Sequence, residues 1–166
     1  IHPFDHPDIV AGQGTVGLEV LEQLPEAASV VVPTGGGGLL AGVAIAVKAL
    51  RPDVKVYGVQ AKDAAAYPLS LGQGRPTTLS VMRTMADGIA VGRPGDLTFA
   101  AVQRLVDEVV TVSEDAMARA VLALSERAKL VAEPAGAAAV AALLDDPEDI
   151  IRETAAARLA QLKEGA

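Results

Sequence analysis

The sequence holds no cysteine and no tryptophan, and aromatic residues make up only 2% of its 166 positions. Without cysteine there is neither a disulfide framework nor a thiolate metal site. With so few rings, the core has to be filled by Ala, Val and Leu, which suits helices packed closely on a buried sheet. At 51% hydrophobic, the chain has enough of them for one domain with a real core. Basic residues number 14 against 21 acidic ones, a net charge of -7, and no basic run occurs. Nucleic acid is therefore not an expected partner, since nothing would neutralise phosphates along a backbone. No charge-free apolar stretch reaches the roughly 18 residues of a membrane span, and no signal-peptide pattern opens the chain. The expectation is a soluble, cytoplasmic protein that does not engage a membrane. The first residue is Ile1 rather than Met, as expected of a fragment, a processed product or an engineered piece.

What is present alternates between strand and helix patterns. Pro3, Pro7, Gly12 and Gly14 read as an opening loop. Thr15 then caps a helix whose apolar face is Gly17, Val20, Leu21 and Leu24, ended by Pro25. Val30 to Val32 is a continuous apolar run, the mark of a strand covered on both faces. A buried helix runs on to Leu50, and Val54 to Val59 is a second strand, so the three make a parallel strand–helix–strand unit with a right-handed crossover expected. Further on, Ala64 to Leu71 reads as helix, "GQGRP" (Gly72 to Pro76) as loop, and Asp87 to Val91 as a short strand. Asp96 is expected to cap a helix carrying Val102, Leu105 and Val106, and Val109 to Val112 is a third strand. Ser113 starts a helix with Met117, Ala120, Val121 and Leu124 on one face. Pro134 opens an alanine-rich helix to Leu144, and Asp146-Pro147 caps a last one with Ile151, Ala155, Leu159 and Leu162 inward. The expected fold is a single α/β domain over 1–166, Rossmann-like and doubly wound, with a mostly parallel sheet flanked by helices.

Four glycines, Gly35 to Gly38, stand where the first strand turns into its helix, in "VVVPTGGGGLLAGVA". One or two would serve a tight turn with close packing. Four suggest that a ligand approaches bare backbone, and the helix that follows aims free N–H groups and the positive end of its dipole at the turn. An anion, most often a phosphate, is the expected occupant. Gly36, Gly38 and Ala41 satisfy a relaxed G-x-G-x-x-A dinucleotide spacing, but the acid that would hold a ribose at the end of the next strand is replaced by Gln60, so the match is weak.

The segments "IHPFDHPDIVAGQGTVGLEVLEQL", "VVVPTGGGGLLAGVA", "VYGVQAKDAAAYPLSL", "TMADGIAVGRPGDL" and "LVAEPAGAAAVAALL" occur in this order. Together they closely resemble the second half of the threonine dehydratases, relatives of serine racemase with the same pyridoxal-phosphate fold, over roughly Ile1 to Leu144. The resemblance implies that Gly35, Gly36, Gly37, Gly38 and Leu39 hold the phosphate of pyridoxal phosphate (PLP) through backbone N–H groups. It implies that Gly88 lies beside the pyridine ring and that Glu133 lies near the cofactor plane. Read by itself, Glu133 is also an acid at a helix start before a proline, a placement that satisfies local electrostatics. The divalent-metal site of the resembled family does not carry over, because the acids it uses, one at the position of Gln60 and another near Ala66, are absent here. His2, Asp5 and His6 have metal-like spacing, but Pro3 and Pro7 break any regular helix that would align them, so no metal is expected.

The complete enzyme of that family would eliminate water from an amino acid, threonine or serine, and release ammonia and a 2-oxo acid. That chemistry needs a lysine to form the Schiff base and move the α-proton. In the resembled family it lies in a Ser-Phe-Lys-x-Arg-Gly-Ala segment, and none of Lys48, Lys55, Lys62, Lys129 or Lys163 has such a context. The loop that grips the substrate carboxylate and the Ser-Gly-Gly segment that follows "AALL" are also absent. The tail "DDPEDIIRETAAARLAQLKEGA" resembles the family's opening helix, as in a rearranged large domain; an ordinary amphipathic capping helix has the same pattern. The expectation is thus a large-domain portion of an ammonia-lyase that keeps the phosphate cradle, is inactive alone, and associates into a homo-oligomer through surface left apolar. The alternative is an isolated or engineered α/β scaffold with no ligand function.

Overall fold

The computed structural model describes residues 2–145, which build on three parallel strands: β1 (Ser29–Pro33), β2 (Lys55–Ala61) and β3 (Glu108–Val112), in the order β1-β2-β3. Val32 lies opposite Gly58, and Gly58 opposite Val109. Alternation along the strands sends side chains to two separate cores. Val32 and Val56 join one, and Val59, Ala61 and Val112 the other. A sheet buried on both faces selects runs of β-branched residues rather than apolar–polar alternation, which is why β1 reads Val-Val-Val.

Six α-helices are described: α1 (Pro7–Gln23), α2 (Gly38–Leu50), α3 (Ala66–Gln73), α4 (Asp96–Leu105), α5 (Glu114–Ala123) and α6 (Pro134–Asp145). α1, α2 and α4 pack on one face with Tyr67 of α3, while α5 and α6 cover the other. The fold is therefore the expected doubly wound α/β arrangement, parallel throughout. The second core is built largely of alanine, with Ala116, Ala120, Ala137, Ala138 and Ala141 all buried. Among the described residues no helix is long and apolar enough to cross a membrane. Leu18, Ile45 and Leu97, each more than a third exposed, line an apolar groove of about 540 Å³ between α1, α2 and α4.

Four sequence expectations need correction. α1 begins at Pro7, not after Thr15: Pro7 takes the first turn, where its missing N–H costs nothing, and the His6 ring accepts from the Asp8 amide at 3.2 Å as the cap. Gly14, read as loop, is helical because α2 passes too close for a side chain. A Cβ on Gly14 would lie 3.2 Å from the Gly42 carbonyl oxygen, and one on Gly17 3.1 Å from that of Val43. The strand expected over Asp87–Val91 is a 3-10 turn at Asp87–Ile89. Its backbone closes locally, Ile89 onto Ala86 and Ala90 onto Asp87, which leaves no row of free groups for a ladder. The loop expected from Gly72 starts two residues later, because α3 runs to Gln73 and stops at Gly74 in the left-handed conformation, φ 67°. The helix expected after Asp146-Pro147 lies outside the described residues.

Asp107, between α4 and β3, ties the bottom of the sheet. Its carboxylate accepts from Lys48 at 2.7 Å, from Lys55 at 2.8 Å and from the Val56 amide at 2.9 Å. Burial opposes its ionisation, but these three donors outweigh that and hold its pKa at about 2. A lowered carboxyl pKa gives stability that is complete above the unfolded value and is lost as pH falls through the folded one. Asp107→Asn should therefore lower stability at pH 7, by about 1 kcal/mol once solvent screening of this exposed group is allowed for, and flatten the loss between pH 4 and pH 2, read by urea denaturation of both proteins at each pH. Gly42→Ala should cost about 3 kcal/mol in the same assay, because the new methyl would meet the Val10 carbonyl oxygen at 2.4 Å and the Gly14 nitrogen at 2.6 Å, both backbone atoms of α1. An unchanged midpoint would show that α1 and α2 are free to slide apart.

Candidate functional site

The seven residues singled out in the sequence, Gly35, Gly36, Gly37, Gly38, Leu39, Gly88 and Glu133, come together on one cleft of about 550 Å³ at the carboxyl end of the strands. The turn out of β1 supplies the first five, the 3-10 turn supplies Gly88, and Glu133 immediately precedes α6. Glu133 and Gly88 face each other: a Cβ on Gly88 would lie 3.0 Å from Glu133 Oε1 and 3.0 Å from the Ala135 methyl. Open α/β sheets place their ligands at this end of the strands.

The glycine turn is unequal in its hydrogen bonding. None of the amides of residues 35–40 donates to another described group. The first amide to find a partner is that of Ala41, which donates to Gly37 at 2.8 Å. Six successive free N–H groups, ending in the first turn of a 13-residue helix, make a concave anion site. The donors are right for a phosphate, and no described lysine lines the cleft beside them. Lys48 and Lys55 are held by Asp107, and Lys129 donates to the Glu126 carbonyl at 2.8 Å.

The bare Cα atoms also have close protein neighbours. A side chain on Gly36 would run into the Phe4 ring at 2.3 Å, and one on Gly38 would meet the Phe4 Cβ at 3.0 Å. Gly37 has φ 98°, and its Cβ would fall 1.8 Å from the Tyr67 hydroxyl. Phe4 and Tyr67 thus crowd these three positions, and at Gly37 the left-handed backbone adds a constraint of its own.

Phe4, Asp5, Ile9 and Gln13 were not expected near this site. Phe4, Ile9 and Gln13 form one wall of the cleft. Asp5 holds that wall in place by capping α4, a role expected of Asp96: its carboxylate accepts from the amides of Asp96 at 2.9 Å, Leu97 at 3.0 Å and Thr98 at 3.1 Å. The N-cap position itself is Gly95, with no side chain to offer. The triplet with metal-like spacing is thus spent on backbone groups, since the His2 ring also accepts from the Asp5 amide at 2.9 Å and His6 caps α1. A proline-bounded His-Pro-Phe-Asp-His-Pro run was the available signal for a shaped strap.

The sequence matches the family model for the pyridoxal-phosphate dependent enzymes over residues 1–157. It is 52% identical over 130 residues to an L-threonine ammonia-lyase of Thermotoga maritima, covering 78% of this chain and 32% of that protein. Among solved structures, a threonine deaminase from T.th. superimposes with a TM-score of 0.85 at 46% identity, covering 87% of this chain and 50% of that one. Maize serine racemase gives 0.88 at 40% identity, covering 92% and 48%. The chain thus spans a third to a half of the length of these relatives. With its parallel sheet, its free-amide turn and these matches, it belongs to the pyridoxal-phosphate dependent enzyme family.

Proposed function

We propose that this chain is the large-domain portion of a PLP-dependent threonine or serine ammonia-lyase, that residues 1–166 form one α/β domain, and that its role there is to hold the cofactor phosphate. The observation that carries this reading is the row of six free amides lining the cleft. A phosphate dianion there would accept from the amides of Gly35 to Leu39 and meet the positive end of α2. The residues present fit that part of the cofactor. Bound PLP supplies an electron sink for the carbon from which a proton is removed. This chain's own contribution is to bind and orient. Gly88 leaves flat space next to Glu133, whose carboxylate sets the polarity of that wall, while Phe4 and Ile9 shield the phosphate end from water.

The same reading makes the chain non-catalytic alone. Proton removal needs a base held within reach of the reacting carbon, and none of the described lysines, Lys48, Lys55, Lys62 and Lys129, lines the cleft. An amino-acid substrate belongs to the complete enzyme. A cytoplasmic homo-oligomer is part of the proposal, and the exposed Leu18, Ile45 and Leu97 support association.

Titration of the isotope-labelled chain with PLP, and separately with inorganic phosphate, should move the same amide resonances, those of Gly35 to Leu39. No shift, or shifts elsewhere, would sink the assignment and favour a scaffold without ligand function. Release of 2-oxobutanoate from threonine should run no faster with the chain than with free PLP. A protein-dependent rate abolished by replacing a single lysine would show that the chain is an enzyme in its own right.

A further inference from the structure

Four buried polar groups lie behind the glycine turn. Thr34, Gln60, Tyr67 and Thr98 are each 0% exposed, and the last three do not line the cleft. Those three act on the turn through its carbonyl oxygens. Gln60 Nε2 donates to the carbonyl of Thr34 at 3.1 Å and to that of Gly35 at 3.4 Å, while its Oε1 accepts from the Tyr67 amide at 2.8 Å. Thr98 Oγ1 donates to the Gly36 carbonyl at 2.7 Å, and the Tyr67 hydroxyl lies 3.3 Å from both Thr98 Oγ1 and the Gly36 carbonyl. Thr98 Oγ1 also lies 3.3 Å from the Gly95 carbonyl, but the 2.7 Å contact to Gly36 is the shorter, so its proton goes to Gly36 and its oxygen is open to the Tyr67 hydroxyl. Burial lifts the Tyr67 pKa to about 12, which keeps that hydroxyl protonated. The Gly95 amide adds a third contact to the Gly36 carbonyl at 3.3 Å, and Gly37 is tied by Ala41.

Every carbonyl from Thr34 to Gly37 is thus engaged, while no amide from 35 to 40 is. Peptide geometry connects the two facts. In a trans peptide the N–H of each residue points opposite to the carbonyl before it, and all described peptides are trans. Fixing the carbonyls of Thr34, Gly35 and Gly36 against the buried side turns the amides of Gly35, Gly36 and Gly37 toward the cleft. Glycine by itself would let these planes rotate freely.

We infer that Gln60, Tyr67 and Thr98 are positioning residues for the phosphate site: they hold the peptide planes of the glycine turn with the N–H groups outward, so that the anion meets a preorganised cradle. This rests on the phosphate reading above. In this chain the amide of Gln60 donates and accepts at once. A carboxylate there would donate nothing to Thr34 or Gly35 and would set a negative charge behind the site.

The test compares Thr98→Val, Thr98→Ser, Tyr67→Phe, Gln60→Met and Gln60→Glu with the parent chain. Inorganic phosphate and PLP are titrated against each, and unfolding midpoints and backbone 15N relaxation at Gly35 to Gly37 are measured alongside. Thr98→Val should weaken phosphate binding about tenfold and loosen the backbone at Gly36 and Gly37, and Thr98→Ser should restore both. Tyr67→Phe keeps the ring that packs on Phe99 and should weaken binding less. Gln60→Glu should bind more weakly than Gln60→Met at pH 8, and the gap should narrow as the introduced carboxyl is protonated. Parent binding with unchanged affinity and backbone relaxation in every folded variant would overturn the inference alone, even if midpoints fell. Failure of the parent chain to bind either ligand would instead overturn the phosphate reading, and the inference with it. If Thr98→Val does not fold, the Gln60 pair decides on the same readouts.

Discussion

The site depends on where four carbonyl oxygens are held. A peptide that turns its oxygen toward the cleft would repel an anion, and one that turns its N–H there attracts it. The polypeptide decides between them from the far side, with an amide and two hydroxyls that have no access to the cleft. Both orientations satisfy glycine's own preferences, so the choice falls to hydrogen bonds worth about 1 kcal/mol each in net terms, and more when breaking one strands a buried group. α2 then adds its dipole at no further cost. The result is a row of neutral donors facing the cleft, with no cationic side chain beside them, in a chain of net charge -7.

The same turn is squeezed from two directions. Phe4 lies over Gly36 and Gly38, and Tyr67 presses on Gly37 from behind. The close approach extends along the helices, where Gly14, Gly17 and Gly42 bring the backbones of α1 and α2 together. Interiors at crystal-like density leave little room to relax. Small residues therefore fix the distance between α1 and the sheet, and with it the position of the strap that carries Phe4 and Asp5.

Much of this was legible in the sequence, for identifiable reasons. Val30 to Val32 and Val109 to Val112 sit within the observed β1 and β3, half-buried strands with helices packed on both faces, where runs of β-branched residues fit. Ser113 was read as a helix start, and its hydroxyl does accept from the Ala116 amide at 3.1 Å. The errors share a cause, which is that glycine and proline signal several structures. Gly12 and Gly14 looked like loop, yet helix packing demanded Gly14. Asp87 to Val91 carried strand-forming residues in a stretch whose amides close on themselves. Gln60 was noticed only for the acid it replaces. Its two-sided bonding is visible only once β2, α3 and the turn are brought together, since its partners lie 7 to 26 residues away.

The cap on α4 has a consequence for the order in which the molecule is completed. Asp5 reaches amides 91 to 93 positions further along. Contacts of such separation close late, after local helices and neighbouring strands have formed. Residues 2–6 leave the ribosome well before α4, so their carboxylate has nothing to grip until that helix has been made. The wall of the cleft and the Gly95 contact to Gly36 then fall into place together. On the phosphate reading proposed above, the site would exist only in the finished fold, and an early, half-made chain would offer an anion little more than an ordinary helix end.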